Sequence, residues 1–174
     1  MEQDRDICPS ISKTMKHFFL ILLLSACSMF SYAQGLEPGT ALPAAVFYKT
    51  DGKVFSTEQI PSGKKSLLMF FDATCEHCQR VAAGLSKRTA ELSKLNIYLI
   101  SMDEKVSIDY YITNFAKPLV ALKNVTVLQD KDRIFVPTFK PTQFPSLYLF
   151  SAQRKLLYFT SKEKEVPKMY PLFK

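Results

Sequence analysis

The stretch that decides the fold is Ser66-Leu67-Leu68-Met69-Phe70-Phe71, followed after three residues by Cys75-Glu76-His77-Cys78. The first part is a continuous apolar run of the length of a buried strand. Residues 79–85 then have the composition of a helix. Two cysteines at a strand-to-helix junction can close a small disulfide ring, and the helix N-terminus favours the thiolate of the first cysteine. The pattern therefore indicates redox chemistry.

The first 33 residues are predicted to be a leader and signal peptide. A basic start at Met15-Lys16-His17 precedes an apolar run from Phe18, and Ser31-Tyr32-Ala33 supplies the small residues of a cleavage site. Because residues 1–14 are polar, we expect translation to begin at Met15. The mature chain, residues 34–174, is then a single domain exported to the periplasm or cell envelope.

Two other interpretations of the leader remain. Leu24-Ser25-Ala26-Cys27 resembles a bacterial lipobox, which would leave a lipid-anchored Cys27 at the mature N-terminus. A membrane-spanning helix is less favoured, because residues 18–33 contain three serines and fall short of the ~20 residues that a span needs.

Cleavage after Ala33 removes Cys8 and Cys27 and leaves Cys75 and Cys78. In an oxidising compartment such a close pair is a poor structural staple, because its loop hardly constrains the unfolded chain. It is a good redox couple. The formal net charge of +7 comes from lysines spread along the chain. No basic motif with interleaved aromatic residues is present, so we expect no nucleic-acid partner.

The rest of the chain predicts an alternating pattern of strands and helices. Asp51-Gly52 is a favoured tight-turn pair between two β-rich segments, and Lys117-Pro118 is expected to end a helix. The predicted strands are 45–49, 53–56, 66–71, 96–102, 125–128, 146–150 and 155–159, and the predicted helical segments are 75–93, 107–115 and 131–139. A strand–helix–strand unit followed by a hairpin gives an α/β fold with a right-handed crossover.

Two segments resemble the signatures of the thioredoxin fold: Phe70 to Cys78, and Phe144-Pro145 followed by the apolar run 146–150. The leading hairpin resembles the exported TlpA/ResA-like branch of thiol–disulfide oxidoreductases. The resemblance covers about residues 36–165. It implies an α/β thioredoxin fold with a central mixed sheet flanked by helices and an N-terminal β-hairpin extension.

The resemblance also implies site residues and partners. Pro145 would follow a cis peptide bond, and the backbone of Phe144 would pair with an extended substrate segment. The expected partners are protein thiol or disulfide substrates and a membrane thiol reductase as electron donor. No cofactor is expected.

The chain departs from the family pattern at two positions. Thr74 stands where the family usually has Trp, and Met69 stands where many relatives place a buried polar or acidic residue beneath the second cysteine. Deprotonation of Cys78 would then rely on water or on a base of the substrate.

In the expected mechanism Cys75 attacks a disulfide and Cys78 resolves the mixed disulfide. His77 favours the Cys75 thiolate, which would make the pair more oxidising, and Glu76 acts in the opposite direction. Reduction is favoured by the resemblance alone. The alternatives are a disulfide-donating oxidase, which His77 supports, and a non-catalytic or metal-handling module.

Two other site chemistries are less favoured. A closed metal site around Cys75, His77 and Cys78 needs a fourth ligand, and the only other histidine is His17. The residues just before Cys75 do not match the pattern that precedes a peroxiredoxin cysteine. The aromatic residues of strands 66–71 and 146–150 are expected in the core, and Phe144 near the active surface.

Overall fold

The computed structural model describes residues 35–174. The predicted leader, with Met15, Cys27 and the cleavage site, lies outside the described residues, as does Gln34. Within the described part of the chain, no helix combines the length and the apolar character required to cross a membrane.

Seven strands form one mixed sheet in the order β2-β1-β5-β4-β3-β6-β7. Strand β3 is central: it pairs in parallel with β4 and antiparallel with β6. Strand β4 pairs in parallel with β5, and the other neighbours are antiparallel. The strands are β1 Val46–Lys49, β2 Val54–Ser56, β3 Ser66–Phe70, β4 Asn96–Ser101, β5 Val125–Gln129, β6 Ser146–Phe150 and β7 Leu156–Thr160.

Helical segments connect the strands and close the chain. The α-helices are α1 Glu76–Ser86, α2 Thr89–Leu92, α3 Lys105–Tyr111, α4 Lys117–Val120 and α5 Phe135–Phe139. A π-helical turn, Ile112–Ala116, joins α3 to α4. A short 3₁₀ turn at Thr57–Gln59 follows β2, and a longer 3₁₀ stretch, Glu163–Phe173, ends the described chain. We call this last stretch the C-terminal segment.

The sheet has a hydrophobic core on each face, because every residue of β3 is buried and successive side chains point to opposite faces. Leu67 and Met69 pack with α1, α3 and the C-terminal segment. Leu68 and Phe70 pack with the hairpin and α5, where the rings of Phe70 and Phe135 stack 4.1 Å apart. The apolar run 66–71 is therefore continuous because both of its faces are covered.

The predicted hairpin is present and belongs to the sheet. Gly52 has a φ of 83°, which glycine adopts without steric cost, and its N–H donates to the carbonyl of Lys49 at 2.8 Å. Strand β1 then pairs antiparallel with β5. The prediction of an α/β thioredoxin fold with a mixed sheet is confirmed.

Two predicted helix boundaries are wrong. The helix predicted over 75–93 breaks after Ser86, where Arg88 has non-helical angles (φ −118°, ψ 28°). The Arg88 guanidinium lies 4.0 Å from the centre of the Tyr170 ring and pairs with Glu91. Pro118 does not end helical structure either. It lies in the first turn of α4, where a backbone N–H has no hydrogen-bond partner within the helix, so proline costs nothing there by lacking one.

Candidate active site

The topology of the sheet brings the two sequence signatures together. Strand β3 ends at Phe70 just before the Cys75 loop, and β6 begins at Ser146 just after Pro145. Because the two strands are antiparallel, Phe70 pairs with Ser146. The peptide bond between Phe144 and Pro145 is cis, as the resemblance implied.

Asp72 fixes the loop that leads into the first cysteine. One carboxylate oxygen of Asp72 accepts hydrogen bonds from the Thr74 N–H and hydroxyl, both at 2.7 Å, and from the Cys75 N–H at 3.1 Å. This is the local hydrogen bonding that Asp typically makes to the backbone two or three residues later. It sets the entry of the chain into α1.

Asp103 supports the same loop from the end of the neighbouring strand. Its Oδ2 accepts from the Ala73 N–H at 2.7 Å and from the Ser101 hydroxyl at 2.7 Å. Strands β3 and β4 are parallel, so their carboxyl ends lie at the same sheet edge. The loop before Cys75 is thus held by two carboxylates.

The two cysteines differ in exposure. Cys75 is half-buried at the N-cap of α1, and no side chain caps that helix end. Its sulfur therefore lies where unpaired N–H groups and the helix dipole stabilise negative charge. Cys78 is fully buried one turn further along. Burial raises the pKa of the Cys78 thiol well above its usual range, and the neighbouring Cys75 raises it further. Cys75 is the sulfur that a substrate can reach.

Tyr111 contacts the buried side of α1, the helix that carries Cys78. This side chain is fully buried, its hydroxyl donates to the Cys78 carbonyl at 2.8 Å, and its ring stacks on Phe71 at 4.2 Å. Burial raises the pKa of the Tyr111 hydroxyl far above its usual range, so the phenol acts as a hydrogen-bond donor and not as a base. Met69 is buried in the same core as Cys78, and it offers no proton acceptor there.

His77 takes part in a surface ion cluster with two partners. Its Nδ1 lies 2.6 Å from Glu163 Oε2 and 2.8 Å from Arg80 Nη2. The Arg80 side chain also donates to both Glu163 oxygens, at 2.9 and 3.0 Å. These donors lower the pKa of Glu163 to about 2. The carboxylate of Glu163 therefore compensates the positive charge that Arg80 places on the helix of the cysteine motif.

Glu76 points to the same cluster. Its carboxylate lies 3.4 Å from Arg80 Nη1, one helical turn away, and its side chain is largely exposed. Arg80 is thus paired with two carboxylates, those of Glu76 and Glu163. From the sequence alone, His77 and Glu76 were expected to have opposite effects on the Cys75 thiolate. The sequence did not identify Glu163 or Arg80 as their partners.

Phe144 is half-buried and lines a groove of about 360 Å³ beside the motif. Its ring packs 4.9 Å from that of Phe70. His77, Gln143 and residues 162–165 complete the lining of the groove. The Gln143 side-chain amide donates to the Ser161 carbonyl at 2.7 Å, which ties Gln143 to the residue before this charged stretch.

The predicted core aromatics are confirmed, because Phe70, Phe71, Tyr148 and Phe150 are all buried. Within residues 35–174, no group of three His, Cys, Asp or Glu side chains could hold a metal ion. Sequence reasoning missed Asp72, Asp103, Tyr111 and Glu163. Asp72 carries a usable signal, since Asp three residues before a helix start is typical of a local backbone cap. The others are distant in sequence.

The family comparison adds to this geometry. Residues 38–159 match the model of the AhpC/TSA family. The chain belongs to that family. It is accordingly an oxidoreductase of the thioredoxin-like class, a class that includes both thiol–disulfide oxidoreductases and peroxiredoxin-like proteins. No curated protein matches the chain in sequence.

Solved structures of the same fold carry both kinds of activity in their names. The thioredoxin domain of a thiol–disulfide oxidoreductase from Bacteroides vulgatus is 18% identical, with a TM-score of 0.61 over 80% of this chain and 99% of that one. A secreted disulfide oxidoreductase of Mycobacterium tuberculosis is 18% identical, with a TM-score of 0.59 over 74% and 95%. A thiol peroxidase from Chromobacterium violaceum is 13% identical, with a TM-score of 0.61 over 80% and 88%.

Proposed function

We propose that the protein exchanges disulfides with protein substrates through Cys75 and Cys78. One observation carries this proposal: a half-buried Cys75 occupies the N-cap position of α1, a fully buried Cys78 lies one turn behind it, and the Pro145 loop lies at the same sheet edge. This arrangement separates an attacking sulfur from a resolving sulfur.

The exchange proceeds in two displacements. The Cys75 thiolate attacks a substrate disulfide, forms a mixed disulfide, and releases one substrate cysteine as a thiolate. Cys78 then loses its proton to water or to the released thiolate and attacks Cys75, which releases the second substrate cysteine. The protein loses two electrons as its disulfide forms, and the substrate disulfide gains them.

Reduction is the proposed direction. A pair becomes a strong oxidant when its reduced form is stabilised, and uncompensated positive charge at Cys75 would do this. The guanidinium of Arg80 is instead paired with the carboxylates of Glu163 and Glu76, and Asp72 places a further carboxylate at the Cys75 N–H. These carboxylates weaken the case for a disulfide-donating oxidase. Reduction in turn requires a supply of electrons, for which a membrane thiol reductase is the proposed source.

The proposed location is the periplasm or cell envelope, with cleavage after Ala33. The basis is the sequence of the leader, together with the fold shared with a protein described as secreted. A lipid anchor on Cys27 is the alternative. Mass analysis of the mature N-terminus after fractionation separates the two, and a chain that keeps its leader in the cytoplasm would contradict both.

A trapping experiment tests the exchange itself. Cys78→Ser should accumulate substrates as mixed disulfides on Cys75, because the resolving attack is removed. Cys75→Ser is the matched control and should trap nothing. A Cys78→Ser variant that stays folded, has a reactive Cys75 and captures no substrate would refute the proposal. The reduction potential then distinguishes the two directions of exchange: a value of about −270 mV is expected for a reductant and a value of about −120 mV for an oxidant.

A peroxidase is the second candidate, because the family match covers residues 38–159 and a thiol peroxidase shares the fold. The residues before Cys75 argue against it, because they do not match the pattern that precedes a peroxiredoxin cysteine. The hydroxyl of Thr74, the residue next to Cys75, is engaged in the loop, where it donates to Asp72 at 2.7 Å. Hydrogen peroxide added to the reduced protein tests this candidate. Rapid consumption that depends on Cys75, with no exchange on protein disulfides, would favour the peroxidase.

A further inference from the structure

The lining of the groove beside the cysteine motif combines apolar and charged side chains. Phe144 supplies apolar surface next to Pro145, and residues 162–165 supply four charged side chains in a row. The two glutamates of this row have partners within the protein. Glu163 pairs with Arg80 and His77, and Glu165 lies 3.6 Å from Lys168.

The two lysines of the row differ from the glutamates. Lys162 and Lys164 are both exposed and line the groove. Neither forms an ion pair within the part of the chain that the structure describes. The charge that the groove offers to a bound molecule is therefore positive, although carboxylates and lysines are equal in number along its wall.

We propose that this groove selects client segments that carry a carboxylate close to the reacting cysteine. This inference rests on the proposed disulfide exchange and names the substrate class of the same site. The client lies extended across Phe144, and its Asp or Glu side chain pairs with Lys162 or Lys164. Opposite charges across such a contact favour the correct partner and its rate of association, while like charges disfavour the wrong one.

Synthetic peptides with a single cysteine test this preference. The cysteine is linked through a disulfide to neutral 2-thiopyridine, and one neighbouring residue is Glu, Gln or Lys, placed in turn at each position around the cysteine. The reduced mature protein attacks the peptide sulfur and releases thiopyridone, whose absorbance gives the rate. Each rate is divided by the rate of the same peptide with 2-mercaptoethanol, which removes the effect of the neighbour on the intrinsic reactivity of the disulfide.

At the best position, the Glu peptide should react about tenfold faster than the Lys peptide, because pairing with one exposed lysine accelerates the Glu peptide about threefold and repulsion slows the Lys peptide about threefold. The Lys162→Gln/Lys164→Gln variant should lose most of this ratio. The control is Lys87→Gln/Lys94→Gln, which removes the same charge from two exposed lysines that follow the C-terminal end of α1, opposite the cysteines. The ratio should also vanish in about 1 M salt, where the Debye length is about 3 Å.

Two results would overturn the inference while leaving disulfide exchange intact. One is an equal normalised rate for the Glu, Gln and Lys peptides at every position. The other is an equal loss of the ratio in the control variant, which would assign the preference to the net charge of the molecule. Release from no peptide at all would overturn the proposed exchange together with this inference.

Discussion

Substitution of Glu163 by Gln tests what the Glu163 carboxylate contributes through its contacts with His77 and Arg80. The change keeps the size of the side chain and removes the carboxylate charge that binds His77 at 2.6 Å and Arg80 at 2.9 Å. The Glu163 side chain is 31% exposed, so solvent screens both contacts. At about 0.5 kcal/mol for each of the two partners, we expect Glu163→Gln to lower the free energy of unfolding by about 1 kcal/mol at neutral pH.

The effect should depend on pH in a defined direction. The pKa of Glu163 is lowered from 4.5 to about 2 in the folded protein. The stabilisation is therefore fully present above the unfolded value and is lost as the pH falls from about 4.5 towards 2. Urea unfolding of both proteins should show a difference at neutral pH that disappears near pH 2.

The same substitution should change the redox behaviour. Removal of a negative charge near Cys75 stabilises its thiolate and hence the reduced form, so the reduction potential should rise. A change of about 0.5–1 kcal/mol corresponds to roughly 10–20 mV. Glu37→Gln is the control, because Glu37 is exposed and its side chain forms no ion pair among the described residues. A Glu163→Gln protein with unchanged stability and unchanged potential would refute the reasoning.

Three further outcomes are expected. Tyr111→Phe removes the hydroxyl that donates to the Cys78 carbonyl but keeps the ring stacked on Phe71. Thermal or urea unfolding should show a loss of about 1 kcal/mol, whereas the exposed Tyr110→Phe should show none. Asp72→Ala removes three hydrogen bonds from the loop before Cys75 and should cost about 1–2 kcal/mol and slow exchange; an unaltered exchange rate would contradict the role of the loop. Because burial raises the pKa of Cys78, the rate at which Cys78 resolves a mixed disulfide should keep rising with pH beyond neutrality in stopped-flow measurements. A plateau reached below pH 7 would show that a base assists it.

The sheet was predictable from sequence because its central strands are apolar on both faces. The apolar run 66–71 has the length of a buried strand, and the Asp51-Gly52 pair predicted the hairpin of β1 and β2 through a backbone angle that glycine adopts freely. The break at Arg88 was not predictable in this way. It depends on the ring of Tyr170, which lies more than eighty residues further along the chain.

The same distinction between local sequence signals and distant contacts applies to the residues of the candidate site. Cys75, Cys78 and Pro145 are marked by spacing and by their positions next to strands, and their roles in exchange stay a prediction. Glu163 and Tyr111 carry no such mark, because a glutamate in a charged stretch and a tyrosine in a helix have many ordinary uses. Only the folded chain shows that one binds His77 and that the other binds the carbonyl of Cys78.

The C-terminal segment has a consequence for handling the protein. Val166, Met169 and Phe173 fill the core beneath the cysteine helix, while Glu163 and its neighbours build one wall of the groove. A protease that cleaves the backbone near Lys162 would therefore open the interior and free Glu163 from His77 and Arg80 in a single event.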